Sequence, residues 1–203
     1  MAGLPLSTRS YRDTYHQRRT SRGSVRRLRG GNLDLLYICD PILGDDPSGL
    51  YLDANAASAI RDLLLPLADL ATPNRFELAW LSGVEVRSVD EAISAALVLG
   101  RPALAATPIP EGPAHLTNVF VADGEAFIGK VDKLEDVPHG TGDLFTGLLT
   151  SKLLAGAPAV SALGYAVGGV KHAVDVSRGS DRLLLALMDW SNGIIPAQID
   201  RLA

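Results

Sequence analysis

The sequence contains a single cysteine, Cys39, among its 203 residues. One cysteine excludes an internal disulfide bond and favours a cytoplasmic protein, because disulfides persist mainly in oxidising compartments. The sequence also has little that suggests a membrane, since no apolar run is long enough to cross a bilayer and no apolar signal-peptide core stands at the N-terminus. We therefore expect a soluble, cytoplasmic protein.

Acidic side chains are nearly absent from residues 1–31, which contain eight arginines and one acid, Asp13, for a formal charge of +7. These residues also include few large apolar side chains, whereas 47% of the whole chain is hydrophobic. We therefore predict a disordered arginine-rich segment at 1–31 and a folded part at 33–203 that buries one core. Arginine tails can contact nucleic acid or an acidic surface, but tails without such a role are commoner, and we predict no nucleic-acid or membrane partner.

The chain has no GxxxxGK[ST] motif, which excludes a P-loop as its phosphate site. It contains instead Gly140-Thr141-Gly142-Asp143, followed by apolar residues at helical spacing, which predicts a glycine turn that opens a helix. The amides of Gly140, Thr141 and Gly142 could hold an anion there, because amides at a helix start lack intrahelical partners. The helix dipole favours an ionised Asp143. A carboxylate beside an anion site is what a hydroxyl-activating kinase requires.

Two other interpretations of this motif remain open. It is also typical of a tight loop in which the acid interacts only with the helix dipole. A dinucleotide-binding fingerprint fits less well, because the third glycine, Gly147, comes later than the usual spacing and Asp143 would repel a pyrophosphate.

Apolar runs alternate with helical patterns through the first half of the chain, and the second half reads as helical. This alternation predicts an α/β fold with a mainly parallel sheet flanked by helices. The predicted strands are 33–40, 67–71, 102–106, 116–121 and 126–130, the last two joined by an Asp-Gly turn, with a proline-rich loop after 106. The predicted helices are one capped by Asp53 and those at 75–81, 88–99, 141–155, 158–176 and 181–189, with 194–202 closing the helical half.

Asp40 ends the first apolar run, and Asp45 lies in the loop that follows. Parallel strands present functional side chains at their carboxyl ends, so both acids could serve a hard cation or a phosphate. Alternatively, Asp40 caps the turn before Pro41 and Asp45 belongs to a solvated loop. Glu77, near a helix start, could likewise serve only the helix dipole.

Four blocks of the sequence stand out when they are taken together. They are Tyr37-Ile38-Cys39-Asp40-Pro41-Ile42-Leu43-Gly44-Asp45, Leu67-Ala68-Asp69-Leu70-Ala71-Thr72-Pro73-Asn74-Arg75-Phe76-Glu77-Leu78, Lys130-Val131-Asp132 and His139-Gly140-Thr141-Gly142-Asp143-Leu144-Phe145. These blocks resemble pyridoxal kinases, a family of the ribokinase-like superfamily, and their order and approximate spacing match from about Leu33 to Ala203. The Gly-Thr-Gly-Asp turn is shared across the superfamily, and the flanking blocks favour pyridoxal over hydroxymethylpyrimidine.

The resemblance implies a ribokinase-like fold and a cytoplasmic homodimer that phosphorylates the 5′-hydroxyl of pyridoxal with Mg·ATP, giving pyridoxal 5′-phosphate. It implies that Asp143 is the base and that the amides of Gly140 to Gly142 hold the anionic transition state. Three positions resemble the acids that organise Mg²⁺ and the ATP phosphates, namely Asp40, Asp45 and Glu77. Positions that line the nucleotide and a monovalent-cation (K⁺) site match Thr72, Asn74 and Thr107, and a strand and loop over the ATP match Lys130, Val131, Asp132 and Lys133.

Members of that family carry a long N-terminal half before the block that contains Asp40, with the first strands of the sheet, contacts to the pyridoxal ring and a lid. Only the arginine-rich segment precedes Leu33 in this sequence. We therefore expect the N-terminal strands and the lid to be missing and the first strand of the folded part to have an open edge. Three functions stay open: a pyridoxal kinase, a hydroxymethylpyrimidine kinase, and a truncated nucleotide-binding chain without activity.

Overall fold

The computed structural model describes residues 36–134 and 136–202, so the predicted disordered segment at 1–31 and the start of the predicted strand at 33–40 lie outside the described residues. The strands are β1 (Ile38–Cys39), β2 (Gly44–Asp45), β3 (Gly49–Leu50), β4 (Leu70–Ala71), β5 (Ala103–Glu111), β6 (His115–Ala122), β7 (Glu125–Asp132) and β8 (Asp200–Leu202). The α-helices are α1 (Ala54–Ala59), α2 (Arg75–Ser82), α3 (Val89–Leu99), α4 (Thr141–Leu154) and α5 (Ala159–Val176). A π-helical turn (Ile60–Leu64) and a 3₁₀ turn (Leu65–Leu67) prolong α1.

One six-stranded sheet in the order β1-β4-β5-β6-β7-β8 forms the centre of the described chain. The pairs β1-β4 and β4-β5 are parallel, with Cys39 opposite Ala71 and Ala71 opposite Leu104, and the remaining pairs are antiparallel. The predicted α/β fold with parallel strands and flanking helices is confirmed, and the hairpin strands make the sheet mixed. Because β1, β4 and β5 run in the same direction, their carboxyl ends meet at one edge.

Helices cover both faces of this sheet. Successive strand residues point to opposite faces, and accordingly Val119 packs with the core that contains Leu78 from α2, whereas Phe120 packs with Leu149 from α4. No described helix combines the length and the apolar content that a bilayer crossing requires.

Local capping signals determine where the predicted helices begin. The side chain of Asp53 accepts hydrogen bonds from the amides of Asn55 and Ala56 at the start of α1. Capping boxes open α2 and α3, in each of which a glutamate three residues into the helix bonds back to the residue at the cap. These helix starts are confirmed because each signal is contained within a few residues.

The predicted proline-rich loop after Ala106 is wrong, because β5 continues to Glu111. Prolines lack an amide hydrogen and are tolerated in strands at edges or bulges. The register of β5 against β6 shifts between Ala106 and Ile109, and β4 pairs with β5 only at Ala103 and Leu104 within the described chain. Pro108 and Pro110 therefore fall where the strand needs fewer hydrogen bonds.

The predicted helices at 181–189 and 194–202 are also wrong, since this part of the chain has one 3₁₀ turn, Leu185–Leu187, and the strand β8. Leu185 and Leu187 are 38% and 64% exposed, so these two leucines lack the apolar contacts that would stabilise a helix. Pro196 disfavours a helical conformation at Ile195. The backbone at 195–197 instead lies directly against α5, where a Cβ on Gly168 would overlap the carbonyl oxygen of Ile195.

Candidate active site

A cavity of about 440 Å³ opens where the carboxyl ends of β1 and β4 face the N-terminus of α4. It brings together most of the predicted site residues, namely Asp40, Asp45, Thr72, Asn74, Glu77, Thr107, Val131, Asp132, Thr141, Gly142 and Asp143. Lys130 lies instead in a neighbouring groove and pairs with Glu111, the Nζ to Oε1 distance being 3.1 Å. Lys133 is exposed after β7, and Gly140 is the N-cap of α4, directly before the cavity residues Thr141 and Gly142.

The positive wall of this cavity is the start of α4, residues 140–143, which we call the anion cradle. Gly140 has a φ of 94° and is the N-cap, a left-handed conformation that glycine adopts without strain. The first helical hydrogen bond runs from the amide of Leu144 to the carbonyl of Gly140 at 3.0 Å, and no described side chain caps the helix. The amides of the first turn are therefore free to bind an anion.

Asp143 lies in the first turn of α4 and is exposed to the cavity. The N-terminal end of the helix dipole stabilises a negative charge there. Its charge also reaches the opposite wall, because it raises the pKa of Asp40. A carboxylate and uncapped backbone amides thus share one helical turn.

The negative wall consists of Asp40, Asp45, Thr72 and Glu77, which we call the acidic wall. Asp40 follows β1, and burial, with a further contribution from Asp143, raises the pKa of its carboxyl group. Hydrogen bonds from Thr146 and Thr72 act in the opposite direction. These bonds allow a carboxylate to stay within the partly buried end of the sheet.

Glu77 is only 3% exposed, and burial raises the pKa of its carboxyl group. Its Oε1 accepts a hydrogen bond from the amide of Leu43 at 2.6 Å, and its Oε2 accepts one from the amide of Asn74 at 2.8 Å. The Nδ2 of Asn74 donates to the carbonyl of Gly44 at 2.7 Å. Glu77 therefore does more than interact with a helix dipole, because it ties the loop before Asp45 to the start of α2.

Asp45 offers the best-placed oxygen for a cation. Hydrogen bonding to Tyr51 and Ser48 lowers the pKa of its carboxyl group. Its Oδ1 is buried without a hydrogen-bond partner in the described part of the chain. Residues 36–134 and 136–202 contain no group of three His, Cys, Asp or Glu side chains that could hold a metal alone. The unpartnered carboxylate oxygen of Asp45 is the kind of donor that suits Mg²⁺, which commonly takes one or two carboxylates together with substrate phosphates.

The rest of the cavity is mostly apolar. Valines of α5 face the end of β7 and the loop after it, which provides a surface suited to a flat aromatic ring. The residues of this apolar end are Val131, Leu134, Val137, Val167, Val170 and Val174. Thr107 lies at the border of the two parts, where its amide donates to the carbonyl of Pro73 at 3.2 Å.

Sequence reasoning missed Thr146, Tyr51 and Lys171. Tyr51 and Lys171 line the cavity, and no local pattern predicts that position. Thr146 lies three residues after Asp143, and residues at this spacing share a helix face. That spacing is the signal that could have identified Thr146.

Comparison with known proteins relates this chain to kinases. A pyridoxine/pyridoxal/pyridoxamine kinase of Bordetella bronchiseptica is 37% identical over 161 residues, which cover 75% of this chain and 57% of that protein. A pyridoxal kinase of Corynebacterium diphtheriae is 28% identical over 84% of this chain and 62% of its own length. This chain therefore spans about three fifths of the length of these curated relatives.

Solved structures show the same fold. A pyridoxal kinase from Entamoeba histolytica superposes with a TM-score of 0.83 at 26% identity, covering 92% of this chain and 69% of that one. A pyridoxal kinase from Leishmania donovani in complex with ADP and pyridoxine gives a TM-score of 0.81 at 28% identity, covering 92% and 70%. The predicted resemblance to pyridoxal kinases of the ribokinase-like superfamily is confirmed. Residues 25–182 match the profile of the family described as phosphomethylpyrimidine kinase, and the chain belongs to that family.

Proposed function

We propose that the chain is an ATP-dependent kinase of vitamin B6 salvage, which phosphorylates the 5′-hydroxyl of pyridoxal with Mg·ATP to give pyridoxal 5′-phosphate. The observation that carries this proposal is that one cavity joins the uncapped amides of the anion cradle to Asp143 and the acidic wall. The relatives named as B6-vitamer kinases support the same substrate class. The solved relative that holds ADP and pyridoxine supports the pairing of nucleotide and vitamer.

In this proposal Asp143 takes the proton of the 5′-hydroxyl group. The hydroxyl oxygen forms a bond to the γ-phosphorus, and the bond from that phosphorus to the oxygen of the leaving ADP breaks. The amides of Gly140, Thr141 and Gly142 stabilise the negative charge on the phosphoryl oxygens during transfer. The cradle is suited to this role because its donors are backbone groups that need not reorganise.

The acidic wall would hold Mg²⁺ together with the ATP phosphates. Bound there, the ion would neutralise phosphate charge, and Asp45 and Asp40 would hold it. Glu77 would support these two side chains indirectly, because both of its carboxylate oxygens already accept hydrogen bonds from backbone amides. Oxygens of Thr72, Asn74 and Thr107 could hold a monovalent cation such as K⁺, and residues Lys130 to Lys133 would lie beside the nucleotide. A cytoplasmic homodimer belongs to the same proposal.

Hydroxymethylpyrimidine is the second candidate substrate, because the matching family is described as phosphomethylpyrimidine kinase. Both substrates are small aromatic rings that carry a primary hydroxyl group, so the chemistry at Asp143 would be the same. A third candidate is a nucleotide-binding chain that does not turn over either substrate.

The test is an assay of the purified chain with ATP, Mg²⁺ and either pyridoxal or hydroxymethylpyrimidine, with ADP release as the readout and calorimetric melting on the same sample. Faster turnover of pyridoxal supports the proposal, and faster turnover of hydroxymethylpyrimidine favours the second candidate. A sample that melts cooperatively and binds ADP without turnover with either substrate supports the third candidate. Asp143→Asn is the matched control, because it keeps the shape of the side chain and removes the base.

A further inference from the structure

Thr146 lies on α4, one helical turn after Asp143, between the anion cradle and the acidic wall. Its Oγ1 is 3.0 Å from the Oγ1 of Thr72 at the end of β4 and 3.4 Å from the Oδ2 of Asp40 after β1. The hydroxyl group thus contacts two strand ends from the helix that carries the proposed base.

Two other hydroxyl groups of α4, those of Thr150 and Ser151, behave differently. Thr150 donates to the carbonyl of Thr146 at 2.6 Å, and Ser151 donates to the carbonyl of Leu148 at 2.8 Å. Both bonds stay within the helix, which is the common position of Ser and Thr hydroxyls inside helices. The hydroxyl group of Thr146 instead contacts residues outside its own helix and links the helix to the sheet.

We propose that Thr146 is a positioning residue whose hydroxyl group holds the acidic wall in alignment with the anion cradle. Its consequence for turnover rests on the proposed kinase function, since this alignment matters when a phosphoryl group lies between the two walls. Thr72 is 6% exposed, so water cannot readily replace the hydroxyl if it is lost. Displacements of about 1 Å in such an arrangement are enough to slow a reaction.

The experiment compares Thr146→Val, which keeps the branched shape and removes the hydroxyl group, with Thr146→Ser, which keeps the hydroxyl. Thr150→Val is the control, because it removes a hydroxyl from the same helix that does not reach the strands. Crystal structures and kinetics with Mg·ATP and pyridoxal are collected for all three and for the parent chain.

We expect Thr146→Val to shift the Asp40 carboxylate relative to Asp143 by about 1 Å or to place it in several rotamers. We expect kcat to fall about 10-fold and the Mg²⁺ concentration for half-maximal turnover to rise about 5-fold, with the KM for pyridoxal within about twofold. For Thr146→Ser and for Thr150→Val, we expect the kinetic values to lie within about twofold of those of the parent chain.

An unchanged position of Asp40 in the Thr146→Val structure would overturn the inference, whatever the turnover. A parent chain that does not phosphorylate either substrate would overturn the proposed function instead, and the two failures are therefore distinguishable. Equal losses in Thr146→Val and Thr150→Val would also count against Thr146, because they would reflect a general effect on α4.

Discussion

The anion cradle and the acidic wall carry opposite charge in different ways. The cradle uses backbone amides on exposed residues, and no described side chain caps them. The wall uses carboxylates that follow strands, such as Asp40, and the buried Glu77 of α2, which has both oxygens in hydrogen bonds. The amides at a helix start have no intrahelical partners and are available as donors without support from a side chain. A buried carboxylate, in contrast, is tolerated only when it is hydrogen-bonded. The amides of the cradle are therefore left open, while the carboxylates of the wall are held in place by hydrogen bonds of the fold.

The largest expected effect comes from the cradle. Asp143→Asn should lower kcat by at least about 10²-fold and leave ATP affinity little changed, because the substitution removes the base and keeps the amides. Turnover and nucleotide binding by calorimetry measure the two effects on one sample. A variant as fast as the parent would remove Asp143 from the mechanism.

A substitution in the acidic wall should lower the stability of the folded chain. Glu77→Ala leaves the amides of Leu43 and Asn74 without their buried acceptor, and we expect the free energy of unfolding to fall by about 3 kcal/mol. Urea denaturation measures this change.

Glu91 provides the matched control for Glu77. It also completes a capping box and accepts hydrogen bonds from the amides of Arg87 and Ser88, but it is only half-buried and both bonds are exposed to solvent. Glu91→Ala should cost less than about 1 kcal/mol, because water replaces the lost acceptor. Equal losses of stability in Glu77→Ala and Glu91→Ala would show that the burial of Glu77 does not increase its contribution to the free energy of unfolding.

A smaller effect should appear in the pH dependence of stability, measured without divalent cations. The pKa of Asp40 is raised from 3.8 in the folded chain, so the folded state binds this proton more tightly than the unfolded state. That stabilisation is present below about pH 4 and is lost as the pH rises through the folded-state pKa. Asp40→Asn imitates the protonated form and should melt about 2–4 °C above the parent at pH 7. The difference should vanish below about pH 3.5.

Asp175 is the control of opposite sign. Hydrogen bonds from Lys171 and Arg178 lower the pKa of its carboxyl group, so Asp175→Asn should lower the melting temperature at pH 7. If Asp40→Asn instead lowered the melting temperature at pH 7, as Asp175→Asn should, the ionised form of Asp40 would not destabilise the folded chain.

The smallest effect is expected outside both walls. We propose from composition that residues 1–31 form a tail, and their deletion should leave the melting temperature within a few degrees. The family match begins at residue 25, so the deletion also tests whether 25–31 contribute to stability. A loss of more than about 10 °C would show that they do.

Local signals explain which parts of the fold could be predicted. Capping residues such as Asp53 and Ser88 act over three residues, so the helix starts could be read from the sequence. The strand continuing through Pro108 and Pro110 depends on its pairing with β6, and the extended chain at 195–197 depends on its contact with α5. Such tertiary contacts leave no short pattern.

The same distinction applies to the site. The sequence predicted the cavity residues that belong to recognisable blocks, such as Asp40 and Asp143, and the structure places both on one cavity. Their chemical roles stay predictions. Thr146 lies one residue beyond such a block, and only its spacing from Asp143 indicates it in the sequence, because its contacts with Asp40 and Thr72 span 106 and 74 positions of the chain.

The close contact between α5 and the backbone at 195–197 has a consequence for redesign. A Cβ at Gly164 or Gly168 would overlap carbonyl oxygens of that segment, whereas Ser161 on the same helix is exposed. In a library randomised along α5, selection for folded protein should retain the two glycines and accept many residues at position 161. The solvent side of α5 is therefore the place to add charge or a labelling handle, because changes there leave the lining of the cavity as it is.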